Sequence, residues 1–119
     1  MKADRAIVYN RFGGKCSYCG CELKSIKDMQ VDHQLPKVTA FKTLEEYNQV
    51  HSINNLYPSC RTCNHYKRSD NLEQFRQKMT TLHERVCSHY IGKVALKYGV
   101  VTLTPFDGVF YFEKINLNE

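Results

Sequence analysis

Two Cys-x-x-Cys pairs constrain this chain more than any other feature in it: Cys16-Ser17-Tyr18-Cys19 and Cys60-Arg61-Thr62-Cys63. Four thiolates in two such pairs suit a tetrahedral zinc ion, and a tetrad of this kind encloses the metal and leaves no open position. A site of that type is structural. The pairs lie about forty residues apart, wider than in an ordinary zinc finger. Zinc would therefore clamp the two ends of an inserted segment. In a chain of 119 residues, one domain with a modest core is expected, and a structural metal helps to close it.

Two alternatives bear on the cysteines. Cys21 also falls within ligand spacing of Cys16; Cys19 is favoured, because a two-residue gap followed by Gly20 makes a tight knuckle. The six cysteines could instead form disulfides. The opening Met1-Lys2-Ala3-Asp4-Arg5 has no apolar run of a signal peptide, which makes the reducing cytoplasm the expected location and metal the favoured reading. Cys87 reads as a small buried apolar residue. No apolar stretch approaches the length of a membrane span, so no membrane partner is expected.

The net charge of +5 is compatible with a polyanionic partner without demanding one. Arg5, Lys15, Lys37, Lys42, Arg61 and Arg76 are candidates for a backbone-binding surface, on charge alone.

Local patterns give the order of elements. Residues 3–12 read as a short helix ended by Gly13-Gly14. Residues 29–35 are strand-like and stop at Pro36. Thr43-Leu44-Glu45-Glu46 is a capping box that starts a helix through Val50. Residues 54–59 read as a turn or short strand, and a helix follows the second knuckle over about 64–68. A second capping box, Asp70-Asn71-Leu72-Glu73, opens a helical segment over about 70–98. Leu72, Phe75, Met79, Leu82 and Val86 form one buried stripe there, and Gly99 is the stop. Residues 100–114 then read as a β-hairpin around Pro105-Phe106-Asp107-Gly108.

Asp32-His33 sits inside the clamped segment. A carboxylate can hold a hard divalent ion, and a histidine near its free pKa can take a proton from water. Neighbours on a strand point to opposite faces, so both can serve one site only at a strand end or a bulge.

With these residues in place, the chain resembles the HNH endonuclease family. The matching residues are Val31-Asp32-His33-Gln34-Leu35-Pro36, Asn55-Leu56, Cys60-Arg61-Thr62-Cys63-Asn64 and Lys67, within a core motif of about 16–68. The resemblance implies an α+β fold with a ββα-metal (His-Me finger) core. That core would be stapled by the four-cysteine zinc site, flanked by helices and followed by the C-terminal hairpin, in a single domain over residues 1–119.

The resemblance also implies roles. His33 would be the general base, and Asp32 and Asn64 the ligands of a catalytic ion. Asn55 would orient the loop through backbone hydrogen bonds, and Lys67 would contact phosphate. Many members carry histidine where Asn64 stands; its amide oxygen favours Mg2+ or Mn2+ over softer ions. His65 is the rival ligand, but on a helix it points about 100° away from Asn64, which is favoured. The implied reaction is hydrolysis of DNA, double-stranded above all but with RNA open, leaving 5′-phosphate and 3′-hydroxyl ends. A single core of this kind nicks, and a double-strand break would need a homodimer or two visits. The rival from another class is a catalytically inactive, zinc-stabilised nucleic-acid-binding module.

Overall fold

The computed structural model describes residues 2–37 and 43–117. It is a mixed α and β structure with a two-stranded antiparallel sheet. The elements are α1 (Lys2–Asn10), β1 (Gln30–His33), α2 (Leu44–His51), β2 (Leu56–Ser59), α3 (Arg61–Lys67), α4 (Leu72–Thr80), α5 (Leu82–Ser88), α6 (Tyr90–Lys97) and α7 (Tyr111–Leu117). They divide into two compact units, residues 1–72 with 110–119 and residues 73–109.

In the first unit β1 and β2 pair with Gln30 opposite Ser59 and His33 opposite Leu56. Thr43 caps α2, its hydroxyl accepting from Glu46 N at 3.1 Å. Cys60 caps α3 in the same way, its sulfur accepting from Cys63 N at 3.4 Å. Val8, Cys16, Tyr18, Leu23, Met29, Val50 and Phe110 are buried and form the core of this unit. Arg5 is spent on that packing, donating to the carbonyls of Ile26 and Met29 at 2.8 and 2.9 Å.

The C-terminal hairpin expected from sequence is not formed. Residues 101–110 carry no regular structure, and Tyr111–Leu117 is helix α7. The reason is long-range. Tyr111 N donates to Tyr18 O at 3.0 Å and Phe112 N to Ser17 O at 2.8 Å, so these amides pair with the first knuckle instead of a neighbouring strand. Phe110 packs edge-on against Tyr18 with centroids 5.5 Å apart, and Phe112 against Tyr57 at 5.3 Å. Aromatic residues that favour a strand in isolation complete a helical core contact here, because packing outweighs intrinsic β preference. Gly20, at φ +79, permits this docking; a Cβ there would lie 2.7 Å from the Tyr111 ring.

In the second unit the expected helical segment is made of three helices. At the first break Thr80 and Thr81 bond back onto the helix, to Gln77 O at 3.0 and 3.2 Å. Hydroxyls that compete in this way for helix carbonyls bend or end helices. At the second, His89 is extended, and Gly92 lets α6 press onto α5: a Cβ would lie 2.1 Å from Val86 O. Gly99, at φ +71, stops α6. Of the expected stripe, Phe75 is fully buried while Leu72, Met79, Leu82 and Val86 are half-buried, and Cys87 is half-buried too. Arg76 is committed locally, to Glu73 at 2.9 Å and to Gly108 O at 2.6 Å. No helix among the described residues is long and apolar enough to cross a membrane.

Candidate metal and catalytic site

The sulfurs of Cys16, Cys19, Cys60 and Cys63 all lie within 4.8 Å of one another. Cys19 Sγ and Cys60 Sγ are 3.8 Å apart, about the edge of a tetrahedron built on Zn–S bonds of roughly 2.3 Å. The tetrad is positioned to bind a metal ion, and its all-thiolate donor set suits zinc. Local geometry builds it. Cys16 N donates to Cys21 O at 2.9 Å and Gly20 N to Cys16 O at 3.0 Å, which closes the first knuckle. Ser17 N reaches Pro58 O at 2.8 Å and so fastens that knuckle to β2 beside the second one. Cys21 is exposed and contributes its carbonyl to the knuckle; the four clustered sulfurs are those of Cys16, Cys19, Cys60 and Cys63.

The thiols share protons unevenly. Hydrogen bonds from Cys19 and Cys63 hold Cys16 far below the ordinary thiol range. The bond to Cys16 pushes Cys19 up to about 12, and bonds to Cys16 and Cys19 raise Cys63 as well. A thiolate already favoured at the buried corner of the tetrad is the form a cation takes up.

Asp32 and His33 close the end of β1, and His33 is its last residue. Both line a cleft of about 210 Å³ together with Val31, Pro36, Lys37, Arg68 and Ser69. Asp32 is 4% exposed. Its carboxylate accepts the Tyr18 hydroxyl and pairs with Lys67 Nζ at 3.1 Å. Burial and the charge of Asp32 raise the Tyr18 phenol well above its ordinary range, so it stays a donor. A carboxylate offers about four lone-pair sites, and these two partners leave capacity for an ion.

Burial, then the charge on Lys37, lowers the His33 imidazole below its ordinary 6.5, with Asp32 opposing. His33 is half-buried. Its ring meets that of His51 edge-to-face, with centroids 6.2 Å apart. His51 in turn packs on Tyr47, one turn earlier on α2, at 4.3 Å.

Asn55 ties these parts together. Its Oδ1 accepts from Leu35 N at 2.8 Å, and its Nδ2 donates to Leu35 O at 3.0 Å and Val50 O at 2.8 Å. Its own carbonyl accepts from Gln34 N at 3.0 Å. One amide thus fastens the segment after His33 to the end of α2. Asn64 is half-buried on α3, which packs on β1, whereas His65 is exposed.

Lys67 differs from the phosphate contact expected of it. It is 0% exposed. Besides Asp32, its ammonium donates to His33 O at 3.5 Å, Gln34 O at 3.3 Å and Asp70 O at 2.7 Å. It is an internal staple, because four acceptors converge where the side chain enters the fold. Of the basic residues proposed from charge, Lys37 lines the cleft, Arg61 is exposed on α3, and Lys15 lies 5.8 Å over the Tyr111 ring. Lys42 lies outside the described residues.

Two residues that meet the site, Tyr18 on Asp32 and His51 on His33, are not among the candidates read from sequence. Neither carries a local signal: Tyr18 is an interior residue of a knuckle, and His51 meets His33 only through the fold. Arg68, which follows α3, also lines the cleft.

No curated protein and no solved structure matches the chain. Residues 16–70, from the first cysteine of the tetrad to the turn after α3 and a little under half of the chain, match the HNH endonuclease family model.

Proposed function

We propose that the protein is a metal-dependent endonuclease that hydrolyses DNA phosphodiester bonds by nicking, with β1, β2 and α3 serving as a ββα-metal core. The observation that carries this reading is the family match over a segment whose cleft holds His33 with a depressed imidazole beside a buried carboxylate. Zinc in the Cys16, Cys19, Cys60 and Cys63 tetrad is structural. Asp32 and Asn64 would hold Mg2+ or Mn2+, with Tyr18 and Lys67 fixing the Asp32 carboxylate on its buried side. Once bound, that ion supplies Lewis-acid stabilisation of the charge that grows on the phosphoryl oxygens and the leaving oxygen.

His33 acts as general base. It removes a proton from water as the water oxygen bonds to phosphorus. The bond from phosphorus to the 3′ oxygen breaks, and that oxygen takes a proton from solvent. The products are a 5′-phosphate and a 3′-hydroxyl. Asn55 holds the His33 segment in register, and the His51 ring limits how the imidazole can turn. A cytoplasmic setting, and a homodimer where both strands are cut, belong to the same reading.

The test is cleavage of supercoiled plasmid with Mg2+ or Mn2+, comparing wild type, His33→Ala and wild type with EDTA. Metal-dependent nicking that is lost in His33→Ala, in protein that stays folded and zinc-loaded, is the expected result. Absence of cleavage by folded, zinc-loaded wild type in either ion refutes it and leaves the inactive nucleic-acid-binding module. Undiminished cleavage by His33→Ala refutes the assignment of the base.

A further inference from the structure

The cleft beside His33 has two walls, one from the loop after β1 and the other from the turn that leaves α3. Lys67 joins them, reaching His33 O and Gln34 O on one side and Asp70 O on the other. The residue expected to touch phosphate is therefore what holds the cleft in shape.

Arg68 follows it at φ 55 and ψ −127, and it is the non-glycine residue with positive φ among those described. Side chains rarely adopt this conformation, and such strain persists where the surroundings over-determine it. Here they do: Arg68 N donates to Asn64 O at 3.0 Å and Asp70 N to Lys67 O at 3.1 Å, while the buried Lys67 ammonium draws in Asp70 O. Glycine would satisfy this backbone at no strain; the chain places a guanidinium there. The Arg68 side chain is exposed and has no hydrogen bond or ion pair among the described residues, and the same is true of Lys37 on the opposite wall. Two uncommitted cations thus face a cleft that also holds His33 and Asp32.

We propose that Arg68 and Lys37 form the seat for the DNA backbone in this cleft, with Arg68 as the principal phosphate contact in place of the buried Lys67. The planar guanidinium presents paired donors to a phosphodiester. The strained backbone at residue 68 is retained because it turns this side chain into the cleft. The proposal rests on the nuclease reading for its substrate, but its test does not depend on cleavage.

The experiment is fluorescence anisotropy of a labelled DNA duplex in the non-cleaving His33→Ala protein over a range of salt, with thermal unfolding of the same samples. One lost phosphate contact reduces the salt slope by about 0.9 and weakens binding at 0.1 M salt by about eight-fold. Arg68→Gly is expected to show both changes while its thermal midpoint rises, because the strain is relieved. Lys37→Gln should weaken binding in the same direction, and Arg68→Lys should keep the slope. Unchanged affinity and slope in Arg68→Gly overturn the proposal. A lowered midpoint accompanying lost binding overturns it too, since the defect would then be one of folding. Failure of the nuclease reading appears separately, as absence of nicking by wild type.

Discussion

Replacing Lys67 by methionine should cost stability first, and reach DNA affinity only through the shape of the cleft that it braces. The ammonium is fully buried, and its partner Asp32 is 4% exposed. At the observed 3.1 Å separation, an effective dielectric near 20 gives an attraction of about 5 kcal/mol. Methionine keeps most of the side-chain volume but strands the carboxylate, and breaking a buried pair from one side costs about 3–5 kcal/mol. The carbonyls of His33, Gln34 and Asp70 lose their donor as well. Against a domain stability of about 5–15 kcal/mol this is a large fraction. At about 4 °C per kcal/mol the thermal midpoint should drop by roughly 15 °C.

The assay is thermal and urea unfolding of zinc-loaded protein without added Mg2+. Wild type, Lys67→Met, Asp32→Asn and the double variant would be compared. In the double variant the charge left behind is gone, so it should be more stable than Lys67→Met, with a coupling of about 2 kcal/mol or more. A solvent-facing Lys67 predicts the opposite pattern: weaker DNA binding, a midpoint within a few degrees of wild type, and no coupling. That pattern would refute the internal staple and restore Lys67 as a phosphate contact.

The remaining predictions address the base, the loop and the zinc. Since burial and Lys37 lower His33 below 6.5, its base form persists at neutral pH, and the acid limb of kcat/KM should lie below 6.5. The unfolded chain takes up the proton first, so His33 subtracts stability as pH falls through its unfolded value; a limb centred above 6.5 would sink this account. Asn55→Ala leaves Leu35 N, Leu35 O and Val50 O without their partner. At about 1 kcal/mol each this is roughly 3 kcal/mol, read by urea unfolding, and nicking should fall with it; a loss under about 1 kcal/mol would mean the three bonds form elsewhere. Chelation, or Cys63→Ser, should release the structural zinc. Because such sites contribute about 10–16 kcal/mol in small peptides, the first unit should lose its circular dichroism together with the metal. Spectra unchanged after complete release would refute a structural role.

What could be read from the chain alone was what neighbours in sequence decide. The two Cys-x-x-Cys knuckles, the Thr43 cap of α2 and the Gly99 stop of α6 depend on contacts a few residues apart. So does the presence of a strand carrying Asp32 and His33, expected over 29–35 and found over Gln30–His33. Spacing and residue type carry that information directly. The fold decided whatever depends on a partner far along the chain. The amides of Tyr111 and Phe112 became helical caps on the first knuckle because Tyr18 and Ser17 offered carbonyls there. The long apolar stripe broke where hydroxyls and a glycine made local competition and close packing decisive. Lys67 reads as a surface charge in any window of sequence. Thirty-five positions separate it from Asp32, and only folding brings carboxylate, carbonyls and ammonium into one buried cluster. The free energy of burying a charge is set by the groups that surround it in space, so tertiary structure assigned Lys67 to the interior and left Arg68 facing the cleft.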